Sequence, residues 1–327
     1  MFFSILIPAY KTDFLSEAIE SCLKQTYQDY EIIVVDDCSP EDIKGIVTQF
    51  DSEKIRYFRN SSNCGAIDVV DNWNRCLDYA CGEYVICMGD DDCILSNCLR
   101  EYVALIEKYP HLDVYHGRTE IIDEHSALKS LQESRPEWES AYSVLYHQFQ
   151  FRRRQFLGDL LFKTDMLRKN GGFYKLPLGV YSDNISGLMA ACTHGVANTQ
   201  EIVFRYRDSN LSLSRNPQPR ILADSINTAY LWYLDFLETE PQHENDRKYR
   251  NLLCKGVLRR AIVDNLLYCI MTDVQKNGQE AIGYWKSKYR NYPITEGEFF
   301  SLMDQLRYKR FRDRVDGIKM AFQNFFR

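Results

Sequence analysis

Four short apolar runs, rich in β-branched residues, punctuate residues 1–90, and helical or turn patterns separate them. They are Phe3 to Ile7 (FSILI), Glu31 to Val35 (EIIVV), Ile55 to Phe58 (IRYF) and Tyr84 to Met88 (YVICM). After the first run, Leu15, Ala18, Ile19, Cys22 and Leu23 recur at helical spacing behind Asp13, a candidate N-cap. A second helix is expected after the turn 36-DDCSPED-42, running through Val47 and Phe50, and a third over 71-DNWNRCLDYA-80. Strands without polar alternation are buried on both faces, which is what a parallel sheet covered by helices produces. The chain is expected to open with a Rossmann-like α/β half.

That architecture gives the polar residues an address. Ligands of open α/β sheets bind in the crevice beyond the carboxyl ends of the strands. Three strand endings are predicted to meet there: 8-PAYK-11, 36-DDCS-39 and 89-GDDD-92. The last crowds Asp90, Asp91 and Asp92 against a buried strand, where mutual repulsion and desolvation both oppose ionisation. A hard divalent cation, Mg²⁺ or Mn²⁺, would relieve this, because such ions use one or two protein carboxylates together with phosphate oxygens. A solvated acidic turn capping the next helix is the alternative for an isolated DDD.

Further along, a helix is expected from Leu99 to Tyr109, stopped by Pro110, and a strand over 112-LDVYHG-117. Residues 118–155 carry little periodic signal and end in the arginine run 151-FRRRQF-156. The segment 156-FLGDLLFKTDMLRKNGGF-173 reads as strand, helix and Gly-Gly stop. Asp183 opens an apolar helix, and 200-QEIVFRYR-207 is a strand. From Pro217 onward the pattern is helical, over roughly 218–240, 246–275, 278–290 and 296–326. The expected organisation is an α/β half over 1–110, a second half over 111–215 and an all-helical extension over 216–327.

Composition narrows the function classes. At 45% hydrophobic and 26% charged, the 327 residues suit an ordinary globular protein with a sizeable core. A net charge of −6 argues against general nucleic-acid binding, which needs a basic surface. The opening MFFSILIPAYK lacks a basic region and a cleavage pattern. No stretch approaches the roughly 20 apolar residues of a membrane-spanning helix, so a cytoplasmic location is expected. Eight of the eleven cysteines fall in the first 98 residues with no CxxC spacing, which points to reduced thiols packed as small hydrophobes.

Taken together, ILIPAYK (5–11), SCLKQTYQDYEIIVVDDCSPED (21–42), NWNRCLDYACGEYVICMGDDD (72–92) and GGF…LGVYSDN (171–184) closely resemble the family 2 glycosyltransferases. These are inverting, nucleotide-sugar-dependent enzymes of the GT-A fold. The resemblance covers about residues 1–210. It implies a GT-A domain with a mixed, mostly parallel sheet, a nucleotide-sugar donor, and a glycan or lipid-linked acceptor in bacterial surface polysaccharide assembly. It further implies that Pro8, Ala9 and Tyr10 line the base pocket and that Asp37 accepts a base N–H, usually of uracil or thymine, while Asp36 braces the loop. Asp91 and Asp92 match the DxD-type pair, one near the ribose and the other holding Mn²⁺ or Mg²⁺ on the diphosphate, with Asp90 beside them as a further nucleotide-site candidate. Gly89 stands where many members carry another Asp, which leaves the ligand to be chosen among the three, with Asp92 preferred.

Asp183 matches the acidic base that an inverting displacement needs on the acceptor side, and an N-cap is its alternative role. Asn63, Asn72, Asn74 and Arg75 lie where the family often approaches the nucleotide; Asn63 and Asn74 are retained as nucleotide-binding candidates. Arg152, Arg153 and Arg154 suit either a phosphorylated acceptor or a solvated charge run. In the extension, Leu306, Phe311, Val315, Ile318, Phe322 and Phe325 alternate with Lys309, Arg310, Arg312, Arg314 and Lys319. Such a face suits peripheral contact with an anionic membrane, packing on the chain itself, or a homodimer. Two other readings remain at this point. Sugar-phosphate nucleotidyl transfer would want a Gly-rich basic loop where this chain has PAYK. A non-catalytic nucleotide-sugar binder would have no need to keep Asp37, Asp91, Asp92 and Asp183 together.

Overall fold

The computed structural model describes residues 1–210 and 218–307. In chain order the elements of its first part are β1 (Phe3–Ala9), α1 (Leu15–Leu23), β2 (Tyr30–Asp36), α2 (Ile43–Val47), β3 (Ile55–Arg59), α3 (Val69–Tyr79), β4 (Tyr84–Cys87), β5 (Cys93–Ile94) and α4 (Cys98–Lys108). Then come β6 (Val114–Ile122), β7 (Leu128–Leu131), β8 (Trp138–Glu139), α5 (Ala141–Phe149), β9 (Leu160–Lys163), α6 (Thr164–Lys169), α7 (Ser182–Ala191) and β10 (Val196–Arg207). The helical remainder is α8 (Pro219–Glu238), α9 (Glu244–Leu252), α10 (Leu258–Lys288) and α11 (Glu296–Arg307).

The strands form one mixed sheet in the order β3-β2-β1-β4-β9-β6-β10-β5, with β7 added to β6 and β8 to β10. Its long pairings, β1 with β2 and β4, β2 with β3, and β6 with β10, are parallel. Strand β9 runs antiparallel between β4 and β6. This is the helix-flanked, mostly parallel sheet the sequence led us to expect. Every residue of β2 and β4 is buried, and so is all of β1 except Pro8. On one face Ile5, Ile7, Ile32, Val34 and Ile86 pack with Leu15, Ile19, Leu99 and Tyr102 from α1 and α4. Helix α3 covers β1 and β2 through its own buried residues, among them Val70, Cys76 and Leu77.

Pro8 shows how the sheet opens toward the site. A proline cannot donate to a ladder, so it belongs at strand margins. Pairing of β1 with β4 ends at Leu6–Cys87, while pairing with β2 continues to Ala9–Asp36. Pro8 falls beyond the last β1–β4 pair, where the two strands diverge.

Helix α1 departs from the expected start: Phe14, not Asp13, sits at its cap position and makes no side-chain capping bond. The strands β5, β7 and β8 were not legible in the sequence; at two to four residues they are too short to show a period.

The chain clusters into two compact units. The first holds Met1–Ala141, Gln155–Lys175 and the run from Ser182 through β10; the second holds Tyr142–Arg154, Leu176–Tyr181 and α8 to α11. Within the second, Phe149, Tyr181 and Tyr233 pack edge to face or tilted, and Asn265 Nδ2 donates to Tyr181 OH at 2.9 Å. Asp273, almost fully buried, accepts from Arg220 Nε and Trp285 Nε1, each at 2.8 Å. Pro219 occupies the first turn of α8, where its missing N–H has no cost. The expected boundary between 275 and 278 appears as a backbone excursion at Gly278 (φ 56°), whereas the excursion at Gly256 (φ 130°) falls inside the segment expected as one helix over 246–275. The basic amphipathic stretch beyond Arg307 lies outside the described residues. Among those described, no helix is long and apolar enough to cross a membrane.

Candidate active site

Where the β1–β4 ladder ends, three loop tips come together and are hydrogen-bonded to one another. At the first, Tyr10 is 43% exposed and follows the fully buried Ala9. Tyr10 and Lys11 donate their main-chain amides to Asp90 Oδ2 at 2.7 and 2.9 Å, and Ser39 Oγ donates to Tyr10 O at 2.6 Å. The tyrosine loop is thus clasped from the β4 end and from the β2 end at once.

At the second tip, the two aspartates divide the work. Asp36 is fully buried; its Oδ1 accepts Ser39 N at 2.8 Å, and its Oδ2 accepts Tyr57 OH at 2.7 Å together with Arg59 Nη1. It braces the loop, as expected. Asp37 N donates to Ala9 O at 2.9 Å, so the two tips share main chain. The Asp37 carboxylate accepts Asn60 Nδ2 at 2.7 Å and Cys64 N at 3.0 Å, with Arg75 Nη1 at 4.0 Å. A carboxylate has about four acceptor positions. Capacity remains on Oδ2 for a donor arriving from the crevice.

Two residues expected at the nucleotide, Asn63 and Asn74, each bond main chain. Asn63 Nδ2 donates to Asp37 O at 2.8 Å and its Oδ1 accepts Gly65 N, which shapes the turn where Gly65 takes φ 77°. Asn74 Oδ1 accepts Phe173 N at 2.7 Å and its Nδ2 donates to Phe173 O at 3.3 Å. Both amides therefore hold backbone, Asn63 behind Asp37 and Asn74 between α3 and the 171–173 turn. Sequence position alone could not separate these duties from ligand contact.

At the third tip, Asp91 is half-buried and Asp92 only 5% exposed. Asp92 Oδ1 accepts Arg207 N at 2.9 Å. A Cβ placed on Gly89 would stand 2.8 Å from Asp91 Oδ1 and 3.2 Å from Asp92 Oδ2, so both oxygens converge on the space a side chain would fill. Burial, then the neighbouring Asp90 charge, pushes Asp91 up to about 6. Burial and Asp91 together hold Asp92 well above the usual carboxylate range. Burial also raises Asp90, countered by the Lys11 and Tyr10 amides.

Paired hard oxygens whose ionisation is opposed by their own neighbours fit a divalent cation, which would stabilise both anions. Among the described residues no three His, Cys, Asp or Glu side chains are grouped to hold a metal by themselves. A cation here would need further oxygens, and a diphosphate carries them.

Asp183 lies in the first turn of α7, half-buried. Burial pushes it up to about 7; the Asn184 amide lowers it and the Asp159 charge adds to the rise. Its carbonyl accepts Gln155 Nε2 at 3.3 Å. Among the described residues Asp183 makes no hydrogen bond or ion pair with the 89–92 loop.

Three contributors escaped the sequence reading. Asp159, fully buried, accepts Thr119 Oγ1 at 3.1 Å and Phe156 N at 3.1 Å, and lies 3.4 Å from His116 Nε2. Burial lowers His116, which keeps it neutral. A lone carboxylate inside the apolar run FLGDLLF was the available signal. Asn60, just past β3, holds both Asp37 and Asn72. Arg207, at the end of β10, touches the acidic loop through main chain and side chain alike. The arginine run Arg152–Arg154 belongs to the second compact unit.

Residues 4–167 match the profile of the family described as Glycosyl transferase family 2. Over 124 residues the chain is 31% identical to an Escherichia coli UDP-Glc:alpha-D-GlcNAc-diphosphoundecaprenol beta-1,3-glucosyltransferase, spanning 38% of this chain and 47% of that one. Over 113 residues it is 37% identical to the Campylobacter jejuni GalNAc(5)-diNAcBac-PP-undecaprenol beta-1,3-glucosyltransferase, spanning 33% and 36%. The aligned segments thus span less than half the length of these relatives. Among solved structures, Staphylococcus aureus TarS 1–349 in complex with UDP-GlcNAc superposes with a TM-score of 0.65 at 16% identity, covering 99% of this chain and 89% of that one. The Pyrobaculum calidifontis mannosyltransferase PcManGT, in complex with GDP-Man and Mn²⁺, gives 0.55 at 14%, covering 99% and 85%. At such identities these likenesses speak for the fold.

Proposed function

The chain belongs to glycosyl transferase family 2, and from that premise we propose that it is an inverting enzyme moving one sugar from a UDP-sugar to a lipid-linked glycan. The acceptor reading draws on the undecaprenyl-diphosphate substrates in the names of the E. coli and C. jejuni relatives. It sets the enzyme at the cytoplasmic face of a membrane, in surface polysaccharide assembly.

The observation that carries the proposal is the convergence of Asp91 and Asp92 oxygens over Gly89, on the sheet whose neighbouring tip presents Asp37. Pro8, the Ala9 main chain and the exposed Tyr10 ring would line the base. Asp37, held by Asn60 and the Cys64 amide, would accept the uracil N3–H on its remaining lone pair. That choice selects bases carrying an N–H at this edge and disfavours cytosine, whose ring nitrogen there is an acceptor. Asp91 and Asp92 would hold a divalent cation against the donor diphosphate. When bound, such a cation supplies Lewis-acid stabilisation of the charge on the departing diphosphate.

Asp183 would take the proton of the acceptor hydroxyl. The freed oxygen pair forms the new bond to the anomeric carbon as the carbon–diphosphate bond breaks on the opposite side, and the configuration inverts. An ordinary aspartate is too weak a base at neutral pH, whereas a group raised to about 7 is matched to it.

The test is a panel of nucleotide sugars, with and without Mn²⁺, read by the shift in melting temperature, since a ligand of the folded state stabilises it. UDP-sugars should stabilise the parent chain more with Mn²⁺ than without it, and Asp92→Ala should erase that difference. No shift with any UDP-sugar would sink the donor assignment. A metal increment surviving in Asp92→Ala would sink the cation seat.

A further inference from the structure

We propose that Arg207 is the positioning residue that sets the Asp91–Asp92 pair for its ligand, by locking the acidic loop to α1 and to the 123–126 turn. The inference rests on reading that pair as the seat of cation and diphosphate.

Arg207 is completely buried. Its main-chain N donates to Asp92 Oδ1 at 2.9 Å and its Nε to Asp91 O at 2.7 Å, so one residue grips the backbone of the first aspartate and the carboxylate of the second. The rest of the guanidinium reaches two other segments. Nη1 donates to Asp123 O at 3.1 Å and Ser126 Oγ at 2.9 Å, and Nη2 to Glu17 Oε2 at 2.6 Å. The Phe14 ring centroid lies 4.2 Å from the guanidinium carbon, a cation–π contact, and this is the use the fold makes of Phe14 at the start of α1.

A buried cation must be paired, and among the described residues the carboxylate that pairs with this guanidinium, Glu17, is itself 41% exposed. The five N–H donors of a guanidinium have a fixed fork that no ammonium reproduces. Four of them serve oxygens on three separate segments. Two repelling carboxylates on a short loop gain by turning apart. Arg207 opposes this by fixing the Asp91 carbonyl and aiming Asp92, which leaves Asp92 Oδ2 directed at the space over Gly89.

The test measures UDP binding by titration calorimetry, with and without Mn²⁺, for the parent chain, Arg207→Lys and Glu17→Gln. Lysine keeps the charge and loses the fork; glutamine at position 17 keeps the shape and loses the counter-charge. The Mn²⁺-dependent gain in UDP affinity should fall about 10- to 100-fold in Arg207→Lys, the range for partners that orient metal ligands, and by less in Glu17→Gln. UDP affinity without metal, carried by the Asp37 side, should stay as it was. If Arg207→Lys does not fold, Glu17→Gln decides alone. An unchanged gain in the folded variants overturns the proposal, and so does an equal loss with and without metal, which would make Arg207 a general support. A parent chain with no Mn²⁺-dependent gain removes the reading of the pair itself, an outcome distinct from both.

Discussion

Asp90 Oδ2 receives two successive main-chain amides, Tyr10 N at 2.7 Å and Lys11 N at 2.9 Å. The first carboxylate of the DDD run is thereby the clasp of the tyrosine loop, and Asp91 and Asp92 are the pair whose oxygens converge over Gly89. This separates their mutants. Asp90→Ala should weaken UDP binding with or without Mn²⁺, by about 1.5–3 kcal/mol for lost bonds to a charged acceptor. Asp91→Ala should weaken it only when Mn²⁺ is present. Identical metal dependence in the two variants would refute the division.

Asp37→Asn keeps the shape and swaps one carboxylate acceptor for an amide donor. UDP affinity should drop by roughly 10- to 100-fold, the scale of a hydrogen bond to a charged group, while CDP should lose less or gain. Competition between UDP and CDP for the parent and variant reads this directly. Equal losses for both nucleotides would take Asp37 out of base selection.

Asp183→Asn should lower kcat by about 10²- to 10⁴-fold, the usual contribution of a positioned base, with UDP affinity unaltered. Steady-state rates and calorimetry together make the measurement. Turnover close to that of the parent would disqualify Asp183.

The same residue fixes a pH dependence. Its folded-state pKa, about 7, lies above the ordinary value of 3.8. The base must be ionised, so kcat/KM should climb as pH rises through about 7 and level off above it, and that limb should vanish in Asp183→Asn. For stability the sign is the reverse of the usual carboxylate: the penalty for burying the charge is absent below pH 3.8 and complete above 7. Asp183→Asn should therefore gain in melting temperature over the parent at pH 8 and match it at pH 3.5. A parent favoured at pH 8 would contradict the burial argument.

Gly82 tests the frame and leaves the site chemistry alone. A Cβ there would stand 2.5 Å from Ser4 N and 2.7 Å from Phe3 C, backbone of the central strand β1 that cannot step aside. Gly82→Ala should cost about 1–3 kcal/mol, the range for overpacking, seen as a lower denaturant midpoint. Unchanged stability would mean that β1 and the turn before β4 are looser than described.

Much of this was legible because it was local. Strands β1, β2 and β4 announce themselves as unbroken apolar runs, since both faces of each are covered. The tips that follow them are fixed by the same connectivity, which is why the loops carrying Tyr10, Asp37 and Asp90 could be expected side by side, as their hydrogen bonds show. What stayed hidden acts at long range. Glu17 and Arg207 are 190 positions apart, and nothing in the run QEIVFRYR distinguishes a guanidinium buried under an acidic loop from one in water. Asn63 and Asn74 were placed in the right neighbourhood, but whether an amide faces a ligand or a neighbouring peptide depends on side-chain direction, which spacing does not record.

After Leu6 and Cys87 the β1–β4 ladder ends, with Pro8 just beyond, and from there the main chain of the 9–11 tip is held by side chains and by the β2 end. The sheet register beneath the tips at 10–11, 37–39 and 89–92 is set by strand pairing, while the tips themselves are clasped by Asp90 and Ser39. Those tips can be exchanged while the frame keeps its register. Substitution at a handful of tip positions can thus change the chemistry the tips present without rebuilding the sheet beneath them.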